Sequence, residues 1–222
     1  MGGSTWLPAA LTHMSQSVDG LFYWVLGVIT FFFVLVEVLL VGFLVRYRRT
    51  KQNLVGAAVH GNNKLEILWT LIPALILVAI GVFSVKYVYA DQIAPAKPVV
   101  IQVIGHEWQW EFKYPNGVDT VNDLRVPAGQ NVLFDITSAD VIHGFDIPAV
   151  RLQQDAVPGR RTQFWVNVES QFVGQTFDVP CDQFCGPGHP TMVAKMQVMS
   201  PAAYQSWLQT EKQQQNSTSS NS

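Results

Sequence analysis

Four side chains with metal-binding atoms lie within twelve residues of one another in the last quarter of the sequence. The segment reads Cys-Asp-Gln-Phe-Cys-Gly-Pro-Gly-His-Pro-Thr-Met, and its candidate ligands are Cys181, Cys185, His189 and Met192. Thiolate and thioether sulfurs are soft donors that select copper, and imidazole also suits copper. Asp182 is the only carboxylate in the segment. The segment therefore predicts a copper site that transfers electrons.

One more ligand is expected from an earlier strand. His143, in Ser-Ala-Asp-Val-Ile-His-Gly-Phe, lies 38 residues before Cys181 and is predicted to be this ligand. A single blue-copper ion uses only one Cys, so the second Cys leaves two interpretations. Two bridging thiolates hold two copper ions, each completed by one imidazole, with Met192 and a backbone carbonyl as weak axial ligands. A single copper ion leaves one Cys unused.

Two uses of the cysteines without copper also fit their spacing. Two Cys in an oxidising compartment commonly form a disulfide, and sets of two Cys and two His commonly bind zinc. Met192 favours copper, because zinc has little use for a thioether and a disulfide needs neither His nor Met.

The elements that position these residues differ between the two parts of the chain. Residues 21–45 are a run of 25 with Glu37 as the only charged residue, and residues 67–85 are a run of 19 with no charge. Because about 20 apolar residues span a bilayer as a helix, both runs predict membrane helices. We expect a transmembrane hairpin over 21–90, with helices at about 21–46 and 65–90.

The charges flanking these helices predict their orientation. Residues 1–20 contain no Lys or Arg, whereas the loop between the helices is basic. By the positive-inside rule this loop is cytoplasmic, so both termini face outward and residues 1–20 form an extracytoplasmic segment. The basic residues of the loop are Arg46, Arg48, Arg49, Lys51 and Lys64.

This orientation also bears on the two cysteines. Thiols tend to oxidise outside the cytoplasm, and a bound metal would protect them.

Residues 97–204 are predicted to form an all-β domain. Aromatic residues alternate with polar ones over 108–114, and apolar residues alternate over 164–168, which is the period of half-buried strands. Turn signals such as Pro115-Asn-Gly separate the short strands and indicate a sandwich or a barrel. The tail, 205–222, is rich in Gln, Asn, Ser and Thr and is predicted to be disordered or to form a loose strap.

The chain resembles subunit 2 of the haem-copper cytochrome c oxidases across residues 15–205. The resemblance is carried by Leu65-Glu-Ile-Leu-Trp-Thr-Leu-Ile-Pro-Ala, by Gly105-His-Glu-Trp-Gln-Trp, and by the copper segment with its remote Asp140-Val-Ile-His. It implies a two-helix transmembrane hairpin followed by an all-β cupredoxin-like sandwich domain. It also implies a bacterial cytoplasmic (inner) membrane location, with the copper domain on the periplasmic side.

The resemblance further implies a binuclear copper centre of the kind called CuA. In it, Cys181 and Cys185 bridge two copper ions, and His143 and His189 each complete one of them. The axial ligands are Met192 and the backbone carbonyl of Gln183. The full set of implied ligands is therefore His143, Cys181, Gln183, Cys185, His189 and Met192. The centre accepts electrons from a soluble donor and passes them to haem in subunit 1, where oxygen is reduced to water and protons are translocated.

Two residues outside the copper segment match further family positions. Trp108 matches the tryptophan through which electrons enter, and Glu66 matches a carboxylate at the cytoplasmic mouth of a proton channel. The partners implied are oxidase subunits 1 and 3, the lipid bilayer, and a cytochrome c or blue-copper donor, with no nucleic acid. Residues 97–204 carry eleven acidic and seven basic side chains, and an acidic domain would attract a basic donor.

Three positions depart from the family pattern. Gln183 replaces the Glu that often helps bind a magnesium ion shared with subunit 1, so the resemblance leaves that ion an open question. Gln109 stands where Tyr is usual and Gly144 where Ser is common. Two other classes fit the sequence less well: a quinol oxidase subunit lacks the copper ligands that are present here, and a copper-delivery protein would have more exposed His and Met.

Overall fold

The computed structural model describes residues 6–51, 61–92, 95 and 97–219. The chain divides into two compact units, one formed by residues 19–87 and the other by residues 1–18 together with 88–222. Two long helices, α1 (His13–Arg46) and α2 (Asn63–Gln92), account for the first unit. Their apolar stretches, with mean hydropathy of 2.9 and 2.4, are long enough to cross a membrane. Most of the predicted cytoplasmic loop, residues 52–60, lies outside the described residues.

Helix α1 begins at His13, eight residues before the predicted start. Its first turn is capped by Thr12 and Ser15, whose side chains each accept a hydrogen bond from the other's backbone N–H at 3.0 Å. This reciprocal pairing satisfies N–H groups that the first turn leaves without helical partners. The helix therefore starts at a polar cap, whereas the prediction relied on the start of the apolar run.

The second unit is built from ten strands. They are β1 (Val99–His106), β2 (Gln109–Lys113), β3 (Asp119–Val121), β4 (Asp123–Pro127), β5 (Asn131–Ser138), β6 (His143–Ile147), β7 (Leu152–Ala156), β8 (Thr162–Asn167), β9 (Thr176–Pro180) and β10 (Val193–Met199). One sheet has the order β3-β2-β1-β5-β8, a second has the order β4-β10-β9, and β6 pairs with β7. The alternation predicted for β2 and β8 is confirmed, since Trp110, Phe112, Phe164 and Val166 are buried.

The core of this unit centres on Phe145 of β6. Its ring lies 5.2 Å from Trp110, 5.5 Å from Phe134 and 5.9 Å from Phe164, measured between centroids. Aromatic rings at such distances stabilise a core beyond the area that they bury. Because Phe145 follows His143 by only two residues, this packing also fixes the strand that carries the predicted remote ligand.

The prediction of a disordered tail or a loose strap is wrong for the described part of 205–222, which is helical. Helix α3 (Pro201–Ser219) covers this region and buries Tyr204, Trp207 and Leu208, which share one face. The polar residues that follow also bind the sheet. The Gln215 amide pairs with the backbone of Asp119 in β3: its Nε2 donates to the carbonyl at 2.7 Å, and its Oε1 accepts from the N–H at 3.3 Å. The tail is thus ordered by a buried apolar face at its start and by the Gln215 amide, which binds an edge strand.

Candidate metal centre

The loop between β9 and β10 carries five of the six predicted ligands, and the backbone closes it at its base. Cys181 directly follows β9 and Met192 directly precedes β10, and the N–H of Cys181 donates to the carbonyl of Met192 at 2.9 Å. A short 3-10 helix, His189–Thr191, leads into Met192. The antiparallel pairing of β9 with β10 therefore brings residues eleven positions apart to the same end of the sheet.

Strand β6 brings the remote histidine beside this loop. The N–H of Asp182 donates to the carbonyl of Gly144 at 2.9 Å, next to His143 in the chain. Gly144 leaves room for this approach, because a Cβ there would lie 2.8 Å from the Gln183 nitrogen unless the loop shifted. The Gly that departs from the family pattern thus lies against the backbone of the loop.

The six predicted ligand groups come together in one cluster. The two Sγ atoms lie 3.8 Å apart; Nδ1 of His143 is 4.0 Å from Cys181 Sγ, and Nδ1 of His189 is 3.7 Å from Cys185 Sγ. Sδ of Met192 is 3.9 Å from Cys185 Sγ, and the carbonyl oxygen of Gln183 is 3.2 Å from Cys181 Sγ. Each sulfur thus has its own imidazole and its own weak donor.

The cysteines are free thiols in the structure. Their separation of 3.8 Å is far longer than the 2.03–2.05 Å of a disulfide bond. Burial, followed by the neighbouring Cys181 sulfur, raises the pKa of the Cys185 thiol to about 12. Two adjacent thiolates are therefore unfavourable at neutral pH unless cations bind between them.

The burial of the cluster is uneven. His143 and Met192 are fully buried, while Cys181 and Cys185 are 7% and 5% exposed. His189 is half-buried and lies against the ring of Phe184, which is 75% exposed. The cluster therefore lies just beneath the surface, with one side open to an approaching molecule.

Trp108 lies directly over the loop. Its Nε1 donates to the carbonyl of Cys185 at 3.2 Å, and its side chain is partly exposed. Gly188 makes room for the ring, because a Cβ there would lie 2.3 Å from Cδ2 of Trp108. The structure thus brings Trp108 into contact with the cluster, whereas Glu66 belongs to the membrane unit and lies in the first turn of α2.

Asp140 supports the cluster in a role that was not predicted from the sequence. Its Oδ1 accepts a hydrogen bond from Nε2 of His143 at 2.8 Å. Burial alone would raise the pKa of Asp140, but this bond and those from the N–H groups of Val141 and Glu107 lower it to about 2. The spacing Asp-Val-Ile-His was the signal available, since an acid three residues before a ligand histidine can orient its ring.

Comparisons with known proteins match both units. The family model described as "Cytochrome C oxidase subunit II, transmembrane domain" matches residues 3–87, and the model for its periplasmic domain matches residues 118–199. The second range contains the whole ligand cluster, and Trp108 falls between the two ranges.

Individual relatives agree with the family models. Cytochrome c oxidase subunit 2 of Cereibacter sphaeroides is 32% identical over 94% of this chain and 80% of its own length. The subunit 2 of Alkalihalophilus pseudofirmus is 33% identical over 75% of this chain, a stretch that spans half of its own length.

A solved structure matches the β-rich unit. It is the periplasmic domain of subunit II of the cytochrome oxidase of Bradyrhizobium japonicum, with a TM-score of 0.52 and 26% identity over 55% of this chain and 99% of that one. The unit therefore has a cupredoxin-like fold that follows two membrane helices. The two family models match the membrane part and the periplasmic part of the chain, and the Cereibacter sphaeroides relative is matched over most of its length. The chain therefore belongs to the cytochrome c oxidase subunit II family and so to an oxidoreductase complex.

Proposed function

We propose that this chain is the electron-accepting subunit of a respiratory haem-copper oxidase. The clustered side chains would hold a binuclear copper centre, which would supply one-electron transfer between a soluble donor and haem in subunit 1, where oxygen is reduced to water and protons are translocated. The observation that carries the proposal is the pair of buried thiols 3.8 Å apart, each with its own imidazole nitrogen within 4.0 Å. A pair of copper ions bound there would supply one-electron redox chemistry.

The geometry favours two bridged ions over one tetrahedral ion. The ligand atoms of His143, Cys181 and Cys185 lie within 4.8 Å of one another, and His189 stands outside this group. A single zinc ion would need all four atoms around one point. The thioether of Met192, 3.9 Å from Cys185 Sγ, is also a copper ligand rather than a zinc ligand. We therefore assign two copper ions, with the carbonyl of Gln183 as the second weak ligand.

The protein's contribution is a rigid, mostly dry site. The loop is closed by the bond between Cys181 and Met192, and the ring of His143 is enclosed completely. A site that holds its ligands in place needs little rearrangement when its charge changes. The exposed amide of Gln183 is a weak ligand for magnesium, so the proposal does not include that ion.

Trp108 is proposed as the residue through which electrons arrive. Its hydrogen bond to the Cys185 carbonyl connects a surface ring with a bridging cysteine through one contact. Exposed apolar side chains next to the predicted ligands, Ile142 before His143 and Phe184 before Cys185, suit a docking surface. A small cytochrome c or blue-copper protein is the proposed donor.

The proposed orientation places the termini and the β-rich unit on the periplasmic side of a bacterial inner membrane. Leu11, just before α1, is fully buried in the β-rich unit, and its N–H donates to the carbonyl of Ala149 at 3.0 Å. The N-terminal segment and the β-rich unit must therefore lie on one side of the membrane. The basic loop residues near Arg46 lie at the opposite end of α1, consistent with a cytoplasmic loop.

Glu66 is proposed to lie at a proton-channel mouth formed with subunit 1. It occupies the first turn of α2, where the side chain of Asn62 accepts hydrogen bonds from the N–H groups of Lys64 and Leu65. A carboxylate is favoured there by the helix dipole. Replacing it, Glu66→Ala, should lower proton-coupled turnover and leave the copper spectrum unchanged, with Lys64→Ala as the neighbouring control. Intact proton translocation in Glu66→Ala would reject the assignment.

The experiment that tests the electron-accepting function uses the oxidase complex assembled with this chain. Met192 and Met196 are both fully buried, so Met192→Leu and Met196→Leu form a matched pair. We expect only the first to change the copper spectrum and slow electron uptake from the donor, with the haem spectrum of the complex unchanged. Equal effects of the two substitutions, or normal electron uptake in Cys185→Ser, would reject the proposal.

A further inference from the structure

The carboxylate of Asp140 joins two segments that approach the cluster of predicted ligands from different directions. Asp140 lies in the connection between β5 and β6, and its Oδ1 accepts from Nε2 of His143 at 2.8 Å. Its Oδ2 accepts from the backbone N–H of Glu107 at 2.6 Å, 33 residues away in the sequence. Its own loop is held as well, since Oδ1 accepts from the N–H of Val141 at 2.6 Å.

The first of these bonds decides which nitrogen of His143 is available to a metal. A carboxylate only accepts hydrogen bonds, so Nε2 must carry the proton that it donates to Asp140. Nδ1 then has a free lone pair, and it is the nitrogen that faces Cys181 Sγ at 4.0 Å. Neutral imidazole with one free nitrogen is the form that binds metals.

The rest of the environment restricts the position of the His143 ring but does not determine which of its nitrogens carries the proton. The ring is fully buried, with the Trp110 ring 5.8 Å away between centroids. Gly105 leaves room for it, because a Cβ there would lie 2.7 Å from Cδ2 of His143. Among the described contacts, Asp140 is the polar partner of Nε2. Packing therefore sets where the ring lies, and Asp140 sets which nitrogen points at the sulfurs.

The second bond extends the effect to Trp108. Glu107 directly precedes Trp108, so the bond from its N–H to Asp140 holds the turn between β1 and β2 that carries the indole. The indole in turn donates to the Cys185 carbonyl. One carboxylate thus contacts both the strand that carries the remote histidine and the turn that carries the surface tryptophan.

We propose that Asp140 is a positioning residue that directs Nδ1 of His143 toward the metal and holds the Trp108 turn against the same centre. This inference rests on the proposed function, because it takes His143 to be a copper ligand. It concerns the chain's own hydrogen bonds, so part of it can be measured without copper.

The substitution Asp140→Asn separates the carboxylate's chemistry from its shape. An amide has one oxygen and one NH2 group, so it cannot accept from both Nε2 of His143 and the N–H of Glu107. In either orientation one donor faces another donor. Loss of such a ligand-orienting partner typically lowers metal affinity about 10–100-fold. Asp119→Asn is the matched control, since it makes the same change in charge at the opposite end of β2, where Asp119 lies 4.0 Å from Lys113.

The test compares the purified full-length chain with both variants. In metal-free protein labelled with 15N-histidine, we expect His143 to be protonated at Nε2 in the wild type and in Asp119→Asn. In copper-loaded protein, we expect Asp140→Asn to bind copper about 10–100-fold more weakly and to have an altered spectrum and reduction potential. Far-ultraviolet circular dichroism checks that all three chains are folded.

Three results would overturn the inference. The first is a wild-type His143 protonated at Nδ1 in metal-free protein. The second is an Asp140→Asn chain that binds copper with the affinity, spectrum and potential of the wild type. The third is an equal change in Asp119→Asn, which would reduce the effect to net charge. If the wild type took up no copper, the proposed function would fail together with the copper part of this inference.

Discussion

Substituting Gly188 by Ala tests whether Trp108 is packed against the metal loop as the structure places it. The new Cβ would lie 2.3 Å from Cδ2, 2.4 Å from Cγ and 2.7 Å from Cε3 of Trp108. Carbon atoms in contact normally lie about 3.5–4.0 Å apart, so ring and loop must separate by roughly 1.2–1.7 Å. The loop backbone and the indole cannot both keep their present positions.

The expected cost follows from this overlap. Overpacking of this kind destabilises by about 1–3 kcal/mol. The bond from Trp108 Nε1 to the Cys185 carbonyl is already 3.2 Å long, at the upper end of the usual range. A shift of more than 1 Å would break it, at a further net cost of about 0.5–1.5 kcal/mol. No ligand is removed, so copper should remain bound while electron uptake from the donor slows.

A double-mutant cycle isolates this contact. Gly188→Ala should destabilise the wild-type chain by about 1–3 kcal/mol, yet cost well under about 1 kcal/mol when Trp108→Ala has removed the ring. The free energy of unfolding can be measured by urea titration in detergent, followed by near-ultraviolet circular dichroism. An equal cost in both backgrounds would refute the placement of Trp108 over Gly188.

Three further predictions concern other parts of the β-rich unit. Gly105→Ala should push the His143 ring by its Cδ2 atom, 2.7 Å from the new Cβ, and lower the copper content by metal analysis; a full complement of copper would contradict this. Trp207→Ala should detach α3 and lower the free energy of unfolding by about 3–5 kcal/mol with the copper spectrum unchanged, whereas a loss under about 1 kcal/mol would show that α3 is not anchored there. Burial raises the pKa of Glu111, but hydrogen bonds from His106 and Lys113 outweigh it and lower the pKa below 4.5. Ionised Glu111 thus favours the folded state above pH 4.5, and this stability is lost as the pH falls through the lowered pKa. Glu111→Gln should flatten that acid dependence in urea titrations, and an unchanged pH profile would argue against it.

Local sequence was sufficient to predict that the candidate ligands lie close together, because five of the six lie in one loop between paired strands. Cys181 and Met192 are brought together by the hairpin itself, so their spacing already contained the geometry. The strand period of β2 and β8 likewise followed from which residues an alternating backbone buries. The two membrane helices followed from the length of their apolar runs.

Features that depend on contacts between distant segments could not be predicted in this way. The bond between Asp140 and Glu107 joins residues 33 positions apart, and the fit of Gly188 to Trp108 joins residues 80 positions apart. Neither pattern has a signal within a single segment. Helix α3 was not predicted for a similar reason, because Trp207 packs against Tyr114 and Gln215 binds Asp119, partners 93 and 96 positions away in the sequence.

The central claim is that the two thiols hold a pair of copper ions, and metal analysis of the purified full-length chain with its electron paramagnetic resonance spectrum tests it most directly. We predict two copper ions per chain and a seven-line hyperfine pattern, because one unpaired electron would couple equally to both copper nuclei. One copper ion with a four-line pattern, a zinc ion, or a disulfide between Cys181 and Cys185 in place of metal would contradict the account.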